Sequence, residues 1–236
     1  MPTVLITGSN RGLGLEFARQ YCAAGWQVLA ACRDPATAPE LAALAERYPA
    51  LELHRLDVRD FDAIDRLAKA LAGRPIDVLL NNAGVFGPRT AAEQDPRQTF
   101  GAMDYDIWSD VLKVNLMAPM KMAEALVENV AASAQKKIVA ISSVEGSIER
   151  SRGGIYAYRT SKSALNMLMR SLGRDLAGRG IVTAAFCPGW IRTRMGGPSA
   201  PLEAPPSIAG VRRVIDSLTP ELSGRFWLWS GENLPW

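Results

Sequence analysis

Histidine is almost missing from this sequence, with His54 alone among 236 residues. A Ser-His-Asp triad or a multi-histidine metal centre would have to run through that one imidazole, which argues against both classes. Cysteine is scarce too. Cys22, Cys32 and Cys187 are odd in number, far apart, and without C-x-x-C or histidine partners at ligand spacing. Neither a disulfide framework nor a thiolate metal site is expected. No run approaches the roughly 18 apolar residues of a membrane span. Met1-Pro2 leads at once into a strand-like Thr3-Val4-Leu5-Ile6-Thr7, leaving no room for a charged leader and an apolar signal core. A cytoplasmic location is expected, since a reducing compartment suits the unpaired thiols. An excess of one charge is lacking as well, because 27 Lys and Arg face 24 Asp and Glu and the cations are scattered. Nucleic acid and membrane are therefore not expected partners.

What the chain does have is rhythm. Short apolar, β-branched-rich runs at residues 4–7, 27–32, 51–56, 78–81, 137–142, 182–187 and 225–229 alternate with helical patterns. The helical patterns cover residues 13–24, 39–48, 61–71, 105–131, 156–177 and 208–218. Such alternation is the signature of βαβ units on a parallel sheet. It predicts the α/β class: a single doubly wound Rossmann-type domain over residues 1–236, with a seven-stranded parallel sheet flanked by helices on both faces. Two stretches interrupt the rhythm. Residues 87–101, with Pro88 and Pro96, and residues 196–206, dense in Pro, Gly and Ala, read as loops. The second follows the strand ending at Cys187, on the edge where open α/β sheets bind ligands, and a substrate loop is expected over residues 190–207.

Gly8, Gly12 and Gly14 fall between the first strand and the first helix, where a chain must turn tightly and let a pyrophosphate approach a helix N-terminus. Their spacing is G-x-x-x-G-x-G rather than G-x-G-x-x-G. At the end of the second strand an acid would bind the adenosine ribose, whereas an arginine would bind a 2′-phosphate. The sequence there is Ala31-Cys32-Arg33-Asp34, with Cys32 at the usual acid position, Arg33 one residue beyond and Arg11 in the glycine turn as a second cation. NADP(H) is favoured on that basis. NAD(H) stays open, because a small backbone shift would offer Asp34 to the ribose.

Tyr158 and Lys162 are separated by one helical turn and share a face of their helix. A phenol has a pKa of about 10 and is a reluctant proton donor near neutrality, so a neighbouring ammonium that stabilises the phenolate suits it to acid/base work. Tyr156 lacks a lysine four residues on.

With these residues together, the chain resembles a classical short-chain dehydrogenase/reductase from residue 3 to its end. The narrower resemblance is to the branch of C-factor proteins and sniffer-type carbonyl reductases. It is carried by Cys32-Arg33-Asp34-Pro35, Tyr156-Ala157-Tyr158-Arg159-Thr160-Ser161-Lys162, Pro188-Gly189-Trp190-Ile191-Arg192-Thr193 and Leu234-Pro235-Trp236. The resemblance implies that Thr7, Gly8, Ser9, Asn10, Arg11, Gly12, Leu13 and Gly14 hold the pyrophosphate. It implies that Asp57 and Val58 meet the adenine, while Asn81, Asn82, Ala83 and Gly84 brace the sheet and border the cofactor. Asn115, Ser143, Tyr158 and Lys162 would form a catalytic tetrad, and Pro188, Gly189 and Thr193 would seat the nicotinamide. In that tetrad Tyr158 protonates the developing alkoxide, Ser143 hydrogen-bonds the same oxygen, and Lys162 lowers the Tyr158 pKa and binds the ribose.

Some points stay open at this level. Ser142 competes with Ser143 for the catalytic hydroxyl, but strand alternation turns one of the two away and the family pattern puts the functional serine second; Asn115 is either a solvated helix position or, as the resemblance implies, the holder of a relaying water. Fifteen positions separate Ser143 from Tyr158, and the extra length falls in residues 147–154, beside the substrate. Trp190, Met195 and Tyr156 suggest an apolar wall for a carbonyl or alcohol substrate, whereas Trp227, Trp229 and Trp236 are expected to pack core or an interface. The resemblance further implies a homodimer or homotetramer through the helices carrying Asn115 and Tyr158, whose outward faces hold Met117, Met120, Leu165, Met167 and Leu168. The competing reading is a dinucleotide-binding regulatory or signalling protein of C-factor type.

Overall fold

Every expected strand forms in the computed structural model, which describes residues 1–87 and 95–236. The strands are β1 Thr3–Thr7, β2 Gln27–Cys32, β3 Leu51–Arg55, β4 Val78–Asn81, β5 Lys137–Ile141, β6 Val182–Cys187 and β7 Arg225–Leu228. They are parallel in the order β3-β2-β1-β4-β5-β6-β7. Strands β1, β4, β5 and β6 are buried along their whole length, which explains their continuous apolar sequences: helices cover both faces of the sheet.

The helices are α1 Gly12–Ala23, α2 Pro39–Arg47, α3 Phe61–Ala70, α4 Tyr105–Leu112, α5 Ala118–Ala131, α6 Tyr156–Asp175 and α7 Ala204–Ser217. Strand alternation divides the core in two. Val4, Ile6, Val28, Val139 and Phe186 pack with Phe17 and Tyr21 of α1 and Val211 and Ile215 of α7. Leu5, Leu29, Leu79, Ile138 and Ala185 point the other way, onto Ile64, Met122, Leu126, Leu165 and Met169. Leu165 is therefore core, whereas Met117 and Met167 are exposed.

Three boundaries differ from the sequence expectation. The helix expected over residues 105–131 is interrupted by a π-helical turn at Lys113–Met117, centred on Asn115. Helix α7 begins at Ala204 rather than residue 208, because Pro205 and Pro206 occupy its first turn, where a missing N–H costs nothing. The substrate loop expected over residues 190–207 is shortened accordingly. Pro88, within the loop expected at residues 87–101, lies outside the described residues. Asp60 and Asp104 cap α3 and α4, accepting from Ala63 N and from Asp106 N and Ile107 N. Strand order reverses between β2-β1 and β4-β5, so the carboxyl ends of β1 and β4 border a crevice.

Candidate active site

The crevice begins at the turn after β1. Gly8 and Gly12 adopt left-handed backbone angles, φ 68° and 54°, and a Cβ on Gly14 would lie 2.2 Å from Gly8 O. Only glycine lets the first turn of α1 pack so closely on the β1 end. The N-cap of α1 is Arg11, whose side chain makes no capping hydrogen bond, so the first backbone N–H groups of α1 lack a side-chain acceptor. Ser9 is turned away from this turn, its hydroxyl donating to Ala31 O at 3.1 Å. Thr7 Oγ1 accepts from Asn82 N and Ala83 N, each at 3.0 Å, and Asn82 Nδ2 donates back to Thr7 O at 2.8 Å. These bonds join the carboxyl ends of β1 and β4.

The guanidiniums of Arg11, Arg33 and Arg194 lie close enough that the other two depress the Arg11 pKa, after the larger effect of its own burial. None of the three forms a salt bridge among the described residues. Converging cations free of a salt bridge are a ready anion site. The Asp34 carboxylate caps the turn after β2, accepting from Ala36 N at 3.2 Å and Thr37 Oγ1 at 3.1 Å. Asp57 is engaged by Arg59, at 2.8 Å and 3.2 Å, and its pKa falls chiefly through that hydrogen bond. Val58 is buried beside it. The glycine cradle, the open helix terminus and the arginine trio fit a dinucleotide with a 2′-phosphate.

The catalytic candidates converge from three elements. Gly153, Gly154 and Ile155 all have positive φ, and Ile155, at 39°, introduces α6 in a conformation costly for a β-branched residue. Tyr158 and Lys162 on α6 are both buried, at 8% and 4% exposure, so chemistry there is shielded from bulk water. Lys162 Nζ donates to Ile141 O at 2.8 Å and lies 5.7 Å from the Tyr158 ring centroid. Burial lowers the Lys162 pKa to about 8. Ser143 hydrogen-bonds Tyr158, whereas Ser142 donates to Asn166 Oδ1 at 2.6 Å inside the core. Strand alternation has separated the two serines, and the second faces the phenol.

One expectation is corrected and one open point is closed. The Tyr158 pKa is raised, not lowered, because burial outweighs the Ser143 hydrogen bond that pulls it down. The Lys162 ammonium is turned to the carbonyl of Ile141. Asn115 is not solvated. It is 1% exposed, with Oδ1 accepting from Val85 N at 2.9 Å and Nδ2 donating to Val85 O at 2.8 Å and Ser161 Oγ at 2.9 Å. The π turn swings this amide inward, where it ties the loop that follows β4 to α6.

Beyond β6, Pro188 O accepts from Ser207 Oγ at 2.6 Å, and Gly189, at φ 90°, leaves room for the Trp229 indole. Thr193 Oγ1 accepts from Gly196 N at 3.2 Å, and Trp190 Nε1 donates to Gly196 O at 2.8 Å while the ring stays 53% exposed. Trp227 is buried in the core and Trp236 stacks on Phe226. Spacing alone missed Phe86, whose ring lies 4.7 Å from that of Tyr158, and Arg194, the third cation. Arg194 immediately follows the quoted Pro188 to Thr193 run, which was its one available signal. His54 is far from this chemistry by topology, on edge strand β3 beside Glu52.

A family model described as short chain dehydrogenase matches residues 2–203. The chain belongs to the short-chain dehydrogenase family. Among relatives of this short-chain dehydrogenase, C-signal of Myxococcus xanthus is 42% identical over 163 residues, 69% of this chain and 93% of that protein. Two solved structures superpose with a TM-score of 0.89 and cover 100% of this chain. One is a short-chain dehydrogenase/reductase from Burkholderia multivorans with bound NADP, 34% identical, with 99% of that chain covered. The other is the carbonyl reductase Sniffer of D. melanogaster, 33% identical, with 100% covered. The seven-stranded parallel sheet with helices on both faces is the fold this short-chain dehydrogenase shares with them. Among the described residues, no helix is long and apolar enough to cross a membrane, and no cluster of three metal-binding side chains occurs.

Proposed function

We propose that this protein is an NADP(H)-dependent oxidoreductase of carbonyl reductase type, acting on a small carbonyl or alcohol substrate. One observation carries the reading: Ser143, Tyr158 and Lys162 meet in a buried site at the carboxyl end of the same sheet whose β1 and β2 ends present Arg11 and Arg33. The NADP bound by the Burkholderia multivorans relative and the carbonyl reductase activity in the name of Sniffer support it.

When bound, the nicotinamide supplies or accepts the hydride. Arg11, Arg33 and Arg194 hold the 2′-phosphate, and the glycine turn from Gly8 to Gly14 holds the pyrophosphate at the start of α1. Asp57 and Val58 border the adenine; Asn82, Ala83 and Gly84 border the cofactor from β4; Pro188, Gly189 and Thr193 seat the carboxamide. Tyr158 gives its proton to the substrate oxygen, and Ser143 donates a hydrogen bond to the same atom. Burial keeps Tyr158 protonated, the form that donates in the reductive direction. Lys162 carries a charge that offsets the emerging phenolate. Asn115 fixes the backbone at Val85 and the helix at Ser161 and, by likeness to the family, would hold the water that relays protons to Lys162. The segment from Trp190 to the start of α7 forms the substrate loop.

We read the assembly as a homodimer or homotetramer through α4, α5 and α6, where Met117 on the π turn between α4 and α5 and Met167 on α6 are exposed. A cytoplasmic location suits the three free, buried thiols. A second reading, a dinucleotide-dependent signalling protein, draws on the similarity to C-signal. One experiment separates the two: cofactor fluorescence with NADPH and NADH, followed by NADPH oxidation with aromatic and aliphatic ketones, aldehydes and quinones. Tight NADPH binding with turnover supports the enzyme, and tight binding without turnover on any of these carbonyls supports the signalling role.

A further inference from the structure

The turn that carries Ser143 lies directly on α6, where a Cβ on Gly146 would sit 2.8 Å from the backbone of Lys162. Three α6 side chains at i, i+4 and i+7 grip that turn, so they form one stripe of the helix. Arg159 Nη2 pairs with Glu145 Oε2 at 2.6 Å, Ser163 Oγ donates to Gly146 O at 3.0 Å, and Asn166 Nδ2 donates to the same oxygen at 3.2 Å. The charged member of the stripe stands apart from the others. The Arg159 side chain is only 13% exposed, and its Nε and Nη1 are buried without hydrogen-bond partners, so Glu145 alone forms a salt bridge with this guanidinium among the described residues.

Both partners adjoin the chemistry. Arg159 directly follows Tyr158, and the Glu145 backbone N–H donates to Ser143 Oγ at 3.2 Å. That bond engages the serine oxygen as an acceptor, which leaves its own hydrogen free for the phenol or the substrate oxygen. The Glu145 side chain is held from α6 by Arg159, and the backbone N–H of the same residue is the one that engages Ser143 Oγ. We propose that Glu145 and Arg159 are a positioning pair for Ser143, acting on proton and hydride transfer without touching substrate. The inference rests on the oxidoreductase reading above.

The test is a mutant cycle on the full chain, scored by single-turnover carbonyl reduction and by NADPH affinity. Arg159→Met and Glu145→Gln should each slow reduction between about tenfold and about 100-fold, as misplacement of a catalytic group does. NADPH affinity should stay unchanged, and Arg159→Lys should restore part of the rate. In a Ser143→Ala background, itself slowed about 100-fold, the same substitutions should cost little more, because residues acting as a unit are not additive. An undiminished loss in that background would overturn the proposal, as would weakened NADPH binding with an intact rate. Should Arg159→Met fail to fold, Arg159→Lys and Glu145→Gln carry the cycle alone. Failure of the unaltered protein to reduce any carbonyl would overturn the oxidoreductase reading and this inference with it; activity with fully multiplicative losses would overturn this inference alone.

Discussion

Lys162 Nζ donates to the carbonyl of Ile141 at 2.8 Å in a site buried enough to bring the ammonium pKa down to about 8. The unfolded chain holds the same proton up to about 10.4. Above pH 8 the unfolded state therefore binds more protons at this residue, and the Lys162 contribution to stability rises with pH until the unfolded pKa is passed. Urea unfolding of the cofactor-free protein and of Lys162→Met at pH 7 and 9.5 should show the wild type gaining about 1–2 kcal/mol on the variant. An unchanged gap would mean that the buried ammonium keeps an ordinary pKa.

Tyr158→Phe removes the proposed proton donor and preserves the ring that packs 4.7 Å from Phe86. Carbonyl reduction should fall by about 10²–10⁴-fold, the usual contribution of a positioned general acid, with NADPH affinity within about threefold of wild type. Substantial retained turnover would assign the proton to another group.

Arg33→Ala and Arg194→Ala each remove one cation from the trio around Arg11. Both side chains are exposed, so the loss is moderated by solvent: NADPH affinity should weaken about tenfold, less at high salt, while NADH affinity stays near its wild-type value. Titration of both cofactors by fluorescence reads this directly. Equal weakening of NADH would reject the 2′-phosphate contact.

Asn115→Ala leaves the Val85 N–H and carbonyl and the Ser161 hydroxyl without the partner they now share. A loss of about 2 kcal/mol is expected, seen as a melting temperature lower by about 4–8 °C. A melting temperature equal to wild type would show that water replaces the amide at no cost.

How far the sequence could be read differs by type of feature. The strands were legible because short β-branched-rich apolar runs alternating with longer helical patterns point to a parallel sheet covered on both faces, and the register that sets Ile6 beside Leu80 brings the carboxyl ends of β1 and β4 to one edge. The pairing of Tyr158 with Lys162 was legible because helical spacing is local. Orientation was not. A π turn at Asn115 has no clear spacing signal, and it turned an amide that would otherwise face solvent into a buried brace. Arg194 joins Arg11 and Arg33 across more than 150 residues of chain, a meeting that no local pattern encodes.

By itself, then, the sequence determined the α/β architecture, the glycine turn at the start of α1 and the Tyr158–Lys162 spacing, because each depends on interactions within a few residues or on hydrophobic periodicity. Tertiary structure alone decided the electrostatics. Burial set the Tyr158 phenol above and the Lys162 ammonium below their ordinary pKa values, turned Ser143 rather than Ser142 to the phenol, and clasped the serine turn to α6 through Glu145 and Arg159. The physical reason is that desolvation and ion pairing depend on which groups the fold brings together and how much water it removes, and neither quantity is a property of residue order.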